Sequence, residues 1–155
     1  MSRSPAGPLP RQSFIYIQRI VLTFWIGGIW ATGYLIVPVI FKSLSMNTVA
    51  GQVAGNIFTV MSWAGLASAL MLGLSYWFID RSRWRFVVLL VMFILVLINL
   101  FVLAPQIDGI RETVGVALQS GSEIYRKFAM LHGIASGLFL VVSLLGLLLV
   151  IRQPS

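Results

Sequence analysis

Cysteine is absent from this chain, histidine occurs once, and aspartate and glutamate together number only four. No disulfide and no thiolate-ligated metal can therefore contribute to its stability or chemistry. The single histidine, His132, has no companion histidine and no acid inside the apolar stretches, so a complete protein-supplied metal shell is not expected. Paired intramembrane carboxylates, a nucleophile elbow, a phosphate-binding glycine loop and a histidine pair are all missing. No catalytic residue is assigned on that basis, and whether the chain is an enzyme is left open.

Charge is the other scarcity. Only 10% of the residues are charged, 59% are hydrophobic, and the ionisable residues fall into a few clusters. Between the clusters lie four uncharged stretches, at 20–41, 43–79, 86–107 and 128–151. Each exceeds the roughly 20 residues with which a helix crosses a hydrocarbon core of about 30 Å. A helix of a water-soluble protein keeps a polar face toward solvent, which stretches of this kind lack. The first stretch is longer than the roughly 7 to 15 residue apolar region of a secretory signal and ends in Pro38 without a small-residue cleavage site. The fold class predicted is all-α, an integral membrane four-helix bundle with a short amphipathic segment between helices 3 and 4.

What is present then sets the boundaries. Residues 1–10 hold three prolines, two serines and a glycine, so a flexible cytoplasmic tail is predicted over about 1–13. The transmembrane domain is predicted over 14–151, with spans at about 14–41, 53–79, 84–104 and 128–151. Pro38 is expected to kink or end the first span and Pro105 to stop the third. Trp77 and Trp84 flank the basic turn Asp80-Arg81-Ser82-Arg83 and mark an interface. In the segment 106–127, Ile107, Ile110, Val114, Ala117 and Leu118 recur at helical spacing while Arg111, Glu112 and Gln119 are expected to face elsewhere, as in a surface-lying amphipathic helix.

The net charge of +7 belongs with the membrane. The lipid bilayer is the expected partner and nucleic acid is not, because basic residues near span ends contact anionic headgroups and set orientation. Arg3, Arg11, Arg19, Arg81, Arg83, Arg85 and Arg152 share one side, against Lys42, Arg111, Arg126 and Lys127 on the other. Both termini are therefore expected in the cytoplasm, and the membrane is the inner one if the chain is bacterial.

Two sets of residues inside the spans carry specific expectations. Small residues allow close helix approach in lipid, so Gly27 and Gly28, Gly65, Ala69 and Gly73, and Ala129, Gly133 and Gly137 are expected at helix contacts, within one chain or in a homo-oligomer or with another membrane protein. Polar side chains in lipid are costly unless partnered. Asn99 and His132 lie at one depth, with Asn56 in the same layer and Ser136 one turn from His132, which makes a candidate polar cluster. One reading has this cluster form interhelical hydrogen bonds of about 1 kcal/mol each. The other makes His132 a ligand to haem or copper, or a proton carrier, with no cofactor as the simpler expectation.

Several of these residues together resemble a known family. Trp25, Gly27, Gly28, Pro38 and Phe41, then Ala50, Gly51, Gly55 and Phe58, then Asn99, Pro105 and Arg111, and finally Phe128, His132, Gly133 and Ser136 look like the small membrane proteins typified by transmembrane protein 205, domain of unknown function 4149. The F-x-x-x-H-G-x-x-S pattern is the most specific element. The resemblance implies four helices and a shared site around Asn99 and His132, and it implies no reaction. The leading functional expectation is a non-enzymatic scaffold or accessory membrane subunit. The alternative is a membrane binder or transporter of a small molecule, haem or metal using the cluster around His132 and Asn99.

Overall fold

The structure, a computed structural model, describes residues 11–114 and 123–152. Residues 1–10 of the expected tail, and Ala117, Leu118 and Gln119 of the amphipathic stretch, lie outside them. All secondary structure among the described residues is helical: α1 (Arg11–Ala31), a π-turn (Thr32–Ile36), α2 (Val37–Ser43), α3 (Asn47–Ser75), a π-turn (Tyr76–Asp80), α4 (Arg83–Ile98), a π-turn (Asn99–Leu103), α5 (Ala104–Val114) and α6 (Glu123–Ile151). Helices are what lipid demands, since a backbone in hydrocarbon must satisfy its own N–H and C=O groups. Joined across their π-turns, these elements make four helices long and apolar enough to cross a membrane, Gln12–Ser43, Asn47–Phe78, Arg83–Glu112 and Glu123–Ile151.

The helices run longer than the spans expected from charge alone, and the prolines explain how. Neither Pro38 nor Pro105 ends its helix. Each sits second in the α-helix that follows a five-residue π-turn, at the same offset from the turn's first residue. A proline ring clashes with the carbonyl one turn back and brings no N–H to bond it, and the wider π-turn absorbs that misfit while the helix continues. The amphipathic segment between helices 3 and 4 is thus represented by α5, which is continuous with span three. Ile107 of α5 is buried with Leu103 and Leu131, and Ile110 and Phe128 pack against them.

Each span packs on its neighbours in a closed ring, α1 on α3, α3 on α4, α4 on α6 and α6 on α1. The main core fills the half of the bundle nearer the termini and includes Leu22, Trp25, Ile26, Ala69, Leu72, Met92, Val142 and Leu149. At that terminal end, the Arg85 guanidinium donates to the Arg152 carbonyl (3.2 Å) and lies over the Trp84 ring, while Trp77 packs on Phe86. Arg81 in the adjoining turn takes the left-handed conformation, φ 47°, which closes the reversal between spans two and three. The outer surface carries large apolar side chains such as Phe24, Leu70, Phe78 and Ile151. A belt of this kind is the lipid-facing surface of a multi-pass integral membrane protein.

The small residues divide into two groups. A side chain on Gly65 would meet the Trp25 indole at 2.7 Å, one on Gly28 would meet Met61 at 2.7 Å, and one on Gly73 would touch Leu89 at 3.7 Å. Ala69, between Gly65 and Gly73, is in the core. Gly27, Gly133 and Gly137 instead have open space where a side chain would project. The contact expected from them within the chain is replaced on α6 by Gly146, which lies under Ile26, and by buried Ser143. α6 turns its richest small-residue stripe outward because its large residues on the opposite face, Leu131, Val142 and Leu149, fill the two cores.

Candidate functional site

Between the two cores the bundle is open. A cleft of about 420 Å³ lies in the half away from the termini, the distal half. That volume falls in the roughly 300–1,000 Å³ range of small-molecule sites. Its walls come from all four spans: Gly33, Tyr34 and Phe41 on span one, Ala54, Phe58 and Thr59 on span two, Asn99, Asp108 and Arg111 on span three, and His132, Ser136 and Phe139 on span four. Both proline-linked π-turns contribute to it, one through Gly33 and Tyr34, the other through Asn99 and Leu100.

The cleft exists because the helices diverge there. α1 packs on α6 in the terminal half, whereas beyond the first π-turn α2 packs on α3 and beyond the third α5 packs on α6. Span one and span four therefore part company distally, and exposed Tyr34, Phe41 and Leu140 line the gap. Gly33 lies against the Phe139 ring, which holds the two spans together at the level where the gap begins. Phe139 also meets Phe58 edge-on at 5.2 Å and Tyr34 at 5.9 Å, so the inner wall is aromatic. Below it a second cavity of about 40 Å³ continues toward Trp25 and Gly65, and Asn99, Ser62, Phe58 and Phe139 border both.

The distal end of the cleft is polar. Asp108 and Arg111, spaced i, i+3 on α5, form an ion pair of 3.2 Å. Arg111 is only 18% exposed, against 55% for Asp108, so the cation is the member turned inward. Its guanidinium lies over Gly51 and Gly55 of α3, where added side chains would come within 3.3 and 3.0 Å of it. It also lies over the Phe128 ring, 5.7 Å from its centre, and Phe128 in turn stacks on His132 at 5.9 Å with the rings 6° from parallel. Arginine prefers such planar contacts because its guanidinium is weakly hydrated and flat.

The residues singled out from sequence are therefore only partly brought together. Asn99, His132 and Ser136 line the cleft, whereas Asn56 is exposed and is not among its lining residues. Ser136 donates to the His132 carbonyl in its own helix at 2.8 Å, as Thr59 does to Gly55 at 3.1 Å. Neither Asn99 nor His132 makes a side-chain hydrogen bond among the described residues. An interhelical side-chain bond is found elsewhere, from the Gln18 amide to the Ser75 hydroxyl at 2.6 Å. His132 has no two acidic or histidine neighbours that would complete a metal site among the described residues.

Arg111 is the member that the sequence reading placed elsewhere, and Asp108 is one that it did not single out. Arg111 was expected to face away from the packed side of its helix, yet it follows Ile107 by four residues and shares its face. The signal was the pair of glycines four residues apart, Gly51 and Gly55, which leaves a notch on α3 wide enough for a long polar side chain.

No curated protein and no solved structure matches the chain. One family model does, over residues 20–115, from the first span to the end of α5, and its description is domain of unknown function. The chain accordingly belongs to the DUF4149 family.

Proposed function

We propose that this protein is a membrane-embedded binder of a small amphipathic molecule, which enters the distal cleft sideways from the lipid between spans one and four. The observation that carries the reading is the cleft itself: an aromatic, apolar interior beside the lipid-facing gap, ending in the ion pair and His132. A closed structural bundle has no use for an opening of this size, because unfilled space forfeits packing contacts on every wall. The finer likeness to transmembrane protein 205 supports the same region. Of its most specific residues, which lie beyond the matched range, His132 and Ser136 line the cleft and Phe128 stacks on His132.

The orientation that fits this reading puts both termini in the cytoplasm and the cleft in the outer leaflet, as the Lys and Arg distribution favours. Because the chain has no cysteine, single substitutions report it cleanly. Ser45→Cys in the link between α2 and α3 should react with an impermeant maleimide on intact cells, and Arg83→Cys only after permeabilisation. The reverse pattern would place the cleft in the inner leaflet.

A photoreactive amphiphile with a diazirine in its tail tests the binding itself. Cross-linked peptides should map to Phe58, Phe139 and Leu140 more strongly than to lipid-facing Phe24 and Leu70. A scaffold or accessory subunit is the second reading, favoured by the outward stripe Ala129, Gly133 and Gly137, which offers a second copy or another membrane protein a close approach. It predicts labelling spread evenly over the lipid-facing surface.

A further inference from the structure

We propose that Arg111 is the headgroup site of the cleft and that it selects an anionic amphiphile, a carboxylate or phosphate group on an apolar tail. This rests on the cleft being a binding site for an amphiphile, and it specifies the charge.

Three observations point the same way. Lys42, Arg126 and Lys127, the other cations of the distal end, are exposed as headgroup anchors usually are, whereas Arg111 is drawn inward. Its guanidinium is packed between the glycine notch of α3 and the Phe128 ring, which fixes its position at the wall of the cleft that Arg111 lines. Of its five donors, one is engaged by Asp108 at 3.2 Å, and Arg111 makes no other hydrogen bond among the described residues.

The Asp108 contact does not oppose this. It is a single, long bond to a carboxylate that is more than half exposed, and such pairs are weak. An incoming carboxylate or phosphate with two oxygens in the guanidinium plane makes the stronger, paired arrangement. Asp108 then acts as a stand-in anion that keeps the empty site neutral and yields to the ligand. The tail of such a ligand extends past Ser136 toward Phe58 and Phe139. From Arg111 to Asn99 is twelve residues of span three, about 18 Å at 1.5 Å per residue, and that distance suits a chain of medium length.

The test uses the full chain in neutral-lipid nanodiscs, with retained ligands counted by native mass spectrometry. Dodecanoate and dodecyl phosphate should be retained about tenfold better than dodecanol, the gain expected of one paired charge-assisted contact. Arg111→Gln should erase that preference, bringing the ratio of anion to dodecanol retention down to about one. Asp108→Asn, which leaves Arg111 in place and removes its competitor, should raise retention of both anions several-fold. If Arg111 only fastens α5 to α3 and α6, Asp108→Asn leaves the anions unaffected or weakens them, and the proposal fails. Equal retention of dodecanol and dodecanoate by the native chain would overturn the anion assignment alone, whereas retention of none of the three would remove the binding reading beneath it. Inorganic phosphate should not displace dodecanoate, and displacement would reassign the site to a free anion.

Discussion

Two glycines on different helices show how one residue type serves opposite ends of the same energetic scale. Gly65 faces the Trp25 indole in the core, and a methyl there has to move a large, nearly buried ring. Gly65→Ala should lower stability by about 1 to 3 kcal/mol, the usual cost of overpacking. Gly137 projects into open space, and Gly137→Ala should instead raise stability by up to about 1 kcal/mol through helix propensity. Thermal unfolding of the two variants in detergent checks both signs, and destabilisation by Gly137→Ala would show that this stripe is covered by another chain. Four-residue spacing made both stripes visible in the sequence. Direction was not legible, because it depends on which large residues of α6 win the two cores. The same gap hid Arg111: a charge near a span end reads as a headgroup anchor until a glycine notch on another helix is placed beside it.

At the level of elements, the cleft is shaped by two π-turns, each followed at the same offset by a proline, in spans one and three. Each adds width to its helix and re-aims everything beyond it, which is how α2 leans on α3 while α5 leans on α6. Pro105→Ala restores an N–H for the upstream carbonyl and allows the turn to tighten into α-helix. Stability should stay the same or rise by up to about 3 kcal/mol, while Asp108 and Arg111 rotate off the cleft and amphiphile labelling at Phe58 and Phe139 falls. Loss of stability with labelling intact would contradict the role given to the turn. The four spans were legible from the uncharged stretches alone, since lipid imposes length directly. The end of span three was not, because Pro105 was read as a stop signal, and the wider turn upstream lets the helix pass through it.

The whole molecule is a bundle sealed by a continuous core near its termini and parted near its other end, with the opening between spans one and four. Three of the four residues of the expected polar cluster proved to be cleft wall, and Asn56 did not join them, because it lies on the exposed side of α3. Depth along a span is readable from sequence; the angle around the helix is fixed only by packing. The most direct measurement is diazirine-tail labelling in native membranes, repeated with Ser136→Trp. Ser136 bonds only within its own helix, so the indole should fill the cleft without dismantling the bundle. The account predicts that adducts on Phe58 and Phe139 disappear in this variant while those on Phe24 and Leu70 persist. Adducts on Phe58 and Phe139 that survive the tryptophan, or that never exceed those on the lipid-facing surface, would contradict it.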